Sequence, residues 1–158
     1  MKKTIALVAA AFALSAVQVS YAMEHGMDHG SMKMEHGDHK GAAAHEEVVE
    51  GVKATFRVMS MKEHMKAMKM EMPAGMKETH HIAVEFKDAK TGKALTEGEV
   101  KLKLQGPDKS EQTKDLMGMQ GHFGADFDLS KPGKYGVMCK FKLADGKVRN
   151  VKFWHTVK

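Results

Sequence analysis

Residues 135–157 read YGVMCKFKLADGKVRNVKFWHTV. Tyr135, Val137, Cys139 and Phe141 take every second position, with Gly136, Met138 and Lys140 between them, and Val151, Phe153, His155 and Val157 repeat the spacing. A period of two sends successive side chains to opposite faces of an extended chain, so each run predicts a half-buried strand. Asp145-Gly146 between them supplies tight-turn chemistry. The stretch therefore predicts a hairpin with one apolar face.

The same period recurs upstream. Val52, Ala54, Phe56 and Val58 form one face, and His80, Ile82, Val84 and Phe86 form another, followed by the turn Asp88–Lys93. Val100, Leu102 and Leu104 run to Gly106-Pro107; Phe123, Ala125, Phe127 and Leu129 run to Pro132-Gly133. Six strands, with one or two weaker ones, within residues 51–158 predict an all-β domain. The expected fold is an immunoglobulin-like antiparallel β-sandwich, with a small closed barrel as the alternative.

Several motifs carry a family resemblance. Thr79-His80-His81-Ile82-Ala83-Val84, the turn Asp88–Lys93 and Glu99-Val100 resemble the first half of YtkA-like domains. Met117-Gly118-Met119, Pro132-Gly133-Lys134-Tyr135-Gly136-Val137 and Asp145-Gly146 resemble the second half. The resemblance implies a small exported β-sandwich of a kind often associated with copper handling and distantly similar to CopC-like proteins.

Before this domain the composition changes. Lys2 and Lys3 precede an apolar run, and Ser20-Tyr21-Ala22 offers small residues at a cleavage site. Residues 1–22 therefore read as a signal peptide cleaved after Ala22, which implies export to the periplasm and leaves no membrane span in the mature chain. Residues 23–50 carry a net charge of −5 and residues 51–158 a net +8. The basic excess is scattered lysine rather than an arginine cluster interleaved with aromatics, so nucleic acid is not an expected partner.

Residues 23–50 form the second predicted region, a disordered tail. It opens with three Met-acid-His-Gly units, Met23–Gly26, Met27–Gly30 and Met34–Gly37, and adds Met32, His39 and His45. Glycine repeats without an apolar face cannot build a packed core. Thioethers suit Cu(I) and the chemically similar silver ion, and imidazoles suit Cu(II), so Met23, His25, Met27, His29, Met32, Met34, His36 and His39 are candidate ligands. The tract resembles the Met/His-rich leaders of bacterial periplasmic copper- and silver-handling proteins. Cleavage after Ala22 would also place His25 third from a free amine, a square-planar Cu(II) motif.

Inside the domain the run from Met59 to Met76 is densest in donors. Read as a helix it places Met61, His64, Met65, Met68 and Met72 on one stripe; read as extended chain it aligns Met68, Met70 and Met72. Met117 and Met119 flank Gly118 in an expected loop, and His122, out of phase with Phe123, is expected to face outward. His80 shares the apolar phase, as does His155, whereas His81 is expected outside and freer to coordinate. His80, His81 and Met117 or Met119 are a further candidate set, should their edges meet.

Cys139 argues against a blue-copper centre: Lys-Phe-Lys-Leu follows it, and the next histidine lies sixteen positions on. Its inward phase predicts an inert buried thiol. Neither a nucleophile elbow nor HExxH, P-loop or CxxC occurs. The expectation is a non-enzymatic, exported protein that buffers or transfers copper, as Cu(I) or Cu(II), with silver as a further cargo and a periplasmic or membrane copper-handling protein as its partner. The alternatives are an interaction module without metal, or an accessory factor for a membrane copper oxidase.

Overall fold

The computed structural model describes residues 42–158. The signal-peptide reading and the ligands from Met23 to His39 lie outside these residues. Among the described residues there are eight strands and one short helix: β1 (His45–Val49), β2 (Val52–Ser60), α1 (Met61–Ala67), β3 (His80–Asp88), β4 (Gly98–Gln105), β5 (Glu111–Met119), β6 (His122–Phe127), β7 (Gly133–Leu143) and β8 (Val148–Val157).

All ladders are antiparallel, in the order β1-β2-β3-β6-β5-β4-β7-β8. The sheet is continuous because β5 serves two neighbours. Its first part, Glu111 to Leu116, pairs with β4, and its end, Met117 to Met119, pairs with β6. The sheet thus folds over on itself into two layers. Its two ends meet through side chains: the His45 ring of β1 stacks on Phe153 of β8 at 4.5 Å.

The core between the layers is the apolar phase of each strand. Phe56, Ile82, Val84, Phe86, Leu102, Leu104, Phe127, Val137, Cys139 and Phe141 are essentially solvent-free. Burying one such aromatic contributes about 2–3 kcal/mol, which is why the alternation dictates the fold. The Asp145-Gly146 hairpin forms as expected, with Gly146 in the left-handed region at φ 75°. Arg149, buried to 3% exposure, donates to both Asp145 oxygens at 3.1 and 2.6 Å and to the Glu50 carbonyl at 3.2 Å. It thereby ties the β7–β8 turn to the β1–β2 turn, and its guanidinium draws the Asp145 carboxyl down to about 2.

Two strands depart from the sequence reading. β1 begins at His45, so the domain starts six residues before the expected boundary at Gly51, and His45 belongs to the sandwich rather than the tail. β5 spans residues where Leu116 alone is buried, so it has no apolar alternation to read. No helix of the described residues is long and apolar enough to cross a membrane.

Candidate metal centre

The face of β2, β3 and β6 that points away from the core is assembled by register. Residues directly opposite each other across an antiparallel ladder share a face. Met59 lies opposite His81, and His81 opposite Asp126. Ala83 lies opposite Gly124, Gly124 opposite Met117, and His122 opposite Met119. Each histidine on this face thus has a methionine as a cross-strand neighbour.

A helix covers that face. Ser60 caps α1: its hydroxyl accepts from the Glu63 amide at 3.2 Å, and the Glu63 carboxylate accepts from the Ser60 amide at 3.1 Å. This reciprocal arrangement satisfies two otherwise orphan donors and fixes where the helix starts. The amide of Met61 donates to the Thr79 carbonyl at 2.7 Å, and that of Met70 to the Met65 carbonyl at 2.9 Å. The helix then turns Met61, His64 and Met65 inward, spaced as one stripe.

The cover places His64 flat against His81, with ring centroids 3.7 Å apart and planes 3° from parallel. His122 meets the His81 ring edge-on, at 6.3 Å and 89°. The three histidines are 5%, 1% and 7% exposed, for His64, His81 and His122 in turn. The expectation that His81 and His122 face outward is right for the side of the sheet and wrong for solvent: α1 lays His64 over His81, and both sheet histidines are buried.

His81 Nδ1 lies 2.6 Å from Asp126 Oδ1. A carboxylate only accepts, so Nδ1 carries the hydrogen, and in the neutral ring Nε2 is the acceptor nitrogen. That nitrogen points toward Gly124, where a Cβ would stand 2.5 Å away. Only glycine leaves this space open. One nitrogen each of His64 and His81 and one oxygen of Asp126 lie within 4.8 Å of one another. Burial holds His64 below the ordinary imidazole value of 6.5, against a smaller opposing pull from Asp126. A neutral imidazole is the form that ligates a metal.

The donor set fits a metal ion: nitrogen, carboxylate oxygen and adjacent thioether, on a covered face beside a glycine whose Cβ would crowd the His81 nitrogen. Imidazole lone pairs lie in the ring plane, so two parallel rings do not aim at one point. Shared coordination therefore requires one ring to turn about its Cα–Cβ and Cβ–Cγ bonds. Asp126 either joins as a ligand or holds His81 in its ligating tautomer, the role carboxylates take behind metal-bound histidine.

The other candidates lie outside the three-donor group. Met68 caps the helix and is exposed, as are Met70 and Met72, so the predicted stripe ends at Met65. Met117 and Met119 sit in β5, not in a loop; Met117 is 72% exposed and Met119 partly so. His80 lies on the opposite, core-facing side and is half-buried, with its Nδ1 2.9 Å from the Thr79 hydroxyl. Neighbouring residues of one strand cannot serve one face, so the set of His80 with His81 does not form. Burial holds both His80 and His155 below 6.5. Cys139 is buried as expected, and burial pushes its thiol up to about 12.

Sequence reasoning passed over Asp126 and gave Met59 no specific role. Asp126 alternates with His122 and Gly124 against Phe123 and Phe127, so its side of the strand was readable. Its partnership with His81, forty-five residues away, was not.

The fold and this face define a small β-sandwich bearing a covered histidine–methionine cluster. Three solved structures share the fold. A copper-bound variant of FetP from uropathogenic Escherichia coli strain F11 is 14% identical, with a TM-score of 0.58, covering 73% of this chain and 90% of that one. A copper-bound variant of Campylobacter jejuni P19 is 13% identical, with a TM-score of 0.54, covering 73% and 96%. A DUF4426 family protein of Pseudomonas aeruginosa PAO1 is 12% identical, with a TM-score of 0.53, covering 72% and 93%. No family model and no curated protein matches the chain.

Proposed function

We propose that this protein binds copper at the His64–His81–Asp126 centre and buffers or transfers it outside the cytoplasm, without catalysing a reaction. The observation that carries the reading is the convergence of these three donors on one covered face, with His122, Met59 and Met119 beside them. Imidazole and carboxylate suit Cu(II), and thioether suits Cu(I), so one face offers donors for either oxidation state. The copper-bound FetP and P19 structures, alike in fold, support the choice of metal. The Met/His-rich tail, with candidate ligands from Met23 to His39, is a second binding region, with silver as an alternative cargo for its thioethers. The amino-terminal signal and the YtkA-like motifs support export to the periplasm, where a copper-handling protein is the expected partner.

Competitive titration of the full mature chain tests this, with Cu(I) under anaerobic conditions and Cu(II) in air. A variant combining His64→Ala and His81→Ala should lose one tight equivalent while the tail ligands from Met23 to His39 keep their own. Unchanged stoichiometry and affinity would remove the centre from the proposal. Two imidazoles and a carboxylate are also the donor set of non-haem Fe(II) sites. Titration with Fe(II) in competition with copper decides between the two cargoes.

A further inference from the structure

The outward face of β4, β7 and β8 carries chemistry that copper binding does not use. Register places Lys101 opposite Lys140, Met138 between Lys103 and Lys152, and Lys142 between Glu99 and Val148. With Lys134, six lysines share this face among the described residues. The acids on it are Glu99 and, from β5, Glu111 and Asp115. The last two pair with Lys103 at 2.8 Å and Lys101 at 3.4 Å, both pairs exposed. Like charges directly opposite each other weaken a sheet, so the Lys101–Lys140 pair costs the fold stability rather than adding to it.

Two features interrupt the lysine surface. Among Lys101, Lys140 and Lys142 lies a cavity of about 550 Å³, with Phe141 and Val148 also in its lining. Further along β7, Gly136 lies opposite Trp154. The six-membered ring of the indole covers that glycine, its nearest atom 3.2 Å from where a Cβ would stand. The Lys134 ammonium is 5.0 Å from the ring centroid. The indole thus lies along the sheet, yet it remains 62% exposed. Tryptophan is among the residues that contribute most when a partner covers them.

The occupant follows from charge and shape. Six lysines face three acids, so the complement is an anion. A bilayer is engaged by side chains that project into it, whereas here the aromatic lies flat and the lysines ring a hollow. An extended polypeptide fits better. Its side chains on one face recur about every 6.6 Å, which is also the spacing of Lys140 and Lys142 along β7.

We propose that this face docks an acidic, extended segment of a partner protein. Carboxylates at alternate positions pair with Lys101, Lys140 and Lys142, and an apolar side chain covers Trp154. From Lys142 to Gly136 the strand covers about 20 Å, the length of about six extended residues. The metal centre lies on the other layer, so docking leaves it uncovered, and the proposal does not depend on the copper reading.

The test titrates the full mature chain, at low ionic strength, with a synthetic peptide of about eight residues that alternates glutamate with serine and ends in leucine. Trp154 is the one tryptophan of the chain, so its fluorescence reads the face directly, and amide chemical shifts map it. The emission should change saturably, with shifts concentrated in β4, β7 and β8. Lys101→Glu/Lys140→Glu should weaken binding at least about 10-fold and leave copper stoichiometry as in the parent. Should that variant fail to fold in a thermal scan, Lys140→Gln/Lys142→Gln replaces it, with a smaller loss expected in the same direction. A peptide that leaves Trp154 emission unmoved, or that binds the variant as tightly as the parent, overturns the proposal. So do phosphatidylglycerol vesicles that move the emission where the peptide does not, since the face would then be a membrane contact.

Discussion

The two outward faces of the sandwich obey the same alternation and end in opposite states. On the β4–β7–β8 layer, Lys101, Lys140, Lys142 and Lys152 stand in water, and Lys101 and Lys103 pair loosely with Asp115 and Glu111. On the β2–β3–β6 layer the corresponding positions hold His81, His122 and Met59, and the histidines are buried. The strands do not make this difference. A seven-residue helix does. Alternation decides which side of a strand a residue takes; a covering element decides whether that side meets water. Polar donors placed under cover are desolvated, and desolvated donors bind a metal without first shedding tightly held water.

The strongest way to break the contrast is to remove the donors. His64→Ala/His81→Ala should reduce copper affinity at the centre by more than about 100-fold, since losing even the partners behind metal ligands costs about 10- to 100-fold. Competitive titration reads it, and parent-like affinity would show that the covered face is only packed, not functional.

Next in size is Gly124→Ala. The added Cβ would stand 2.5 Å from His81 Nε2, so the ring or the strand must shift. The expected cost is about 1–3 kcal/mol in chemical denaturation, with a loss of copper affinity beyond what that cost explains. A variant that keeps full affinity would mean that the space beside Gly124 is not the ion's place.

Ser60→Ala attacks the cover instead of the donors. Losing the cap should cost about 1 kcal/mol and speed hydrogen exchange of amides in Met61–Ala67, while the lysine face keeps its protection. Equal change on both faces would break the comparison.

Acid sharpens it from a third side. His80 and His155, at the core-facing end, are held below 6.5 chiefly by burial, with their mutual repulsion lowering His155 further. The folded domain therefore binds these protons less readily than the unfolded chain. Their contribution to stability is complete above about pH 6.5 and declines as pH falls through the lowered values. Denaturant midpoints at pH 7.5, 6 and 5 should fall in that order, and His155→Asn should flatten the slope. The Asp145 carboxyl, held at about 2 by Arg149, contributes in a separate window below the usual carboxylate range. The smallest effect belongs to Cys139→Ala: copper affinity unchanged, and no reaction of the parent thiol with maleimide in the native state.

How far the sequence led is best judged by particular residues. Phe56, Val84, Leu104, Val137 and Phe153 announce their strands because one face is apolar and the other is not. β5 stays silent because its ladders with β4 and β6, not its side chains, hold it in place. β1 was hidden by Glu46 and Glu47, which read as a continuation of the acidic tail, although Val49 packs against the core. Ser60 and Glu63 spell a capping box, so the start of α1 was legible even where helix and extended chain both remained open. The sides taken by His81 and His122 followed from phase. Their burial did not, because it depends on where a helix from another part of the chain comes to rest. Asp126 shows the same limit, since its meeting with His81 is a matter of register between strands far apart in sequence.

One consequence follows from β5 being shared. Its backbone runs without interruption from the lysine-bearing layer at Leu116 into the layer of the metal centre at Met117. Turning one layer against the other would tear ladder hydrogen bonds at that splice, so the scaffold is stiff where the two halves join. The short helix beyond Ser60 is held instead by a cap and a few backbone hydrogen bonds, so the cover is joined to the scaffold far more lightly than the two layers are joined to each other.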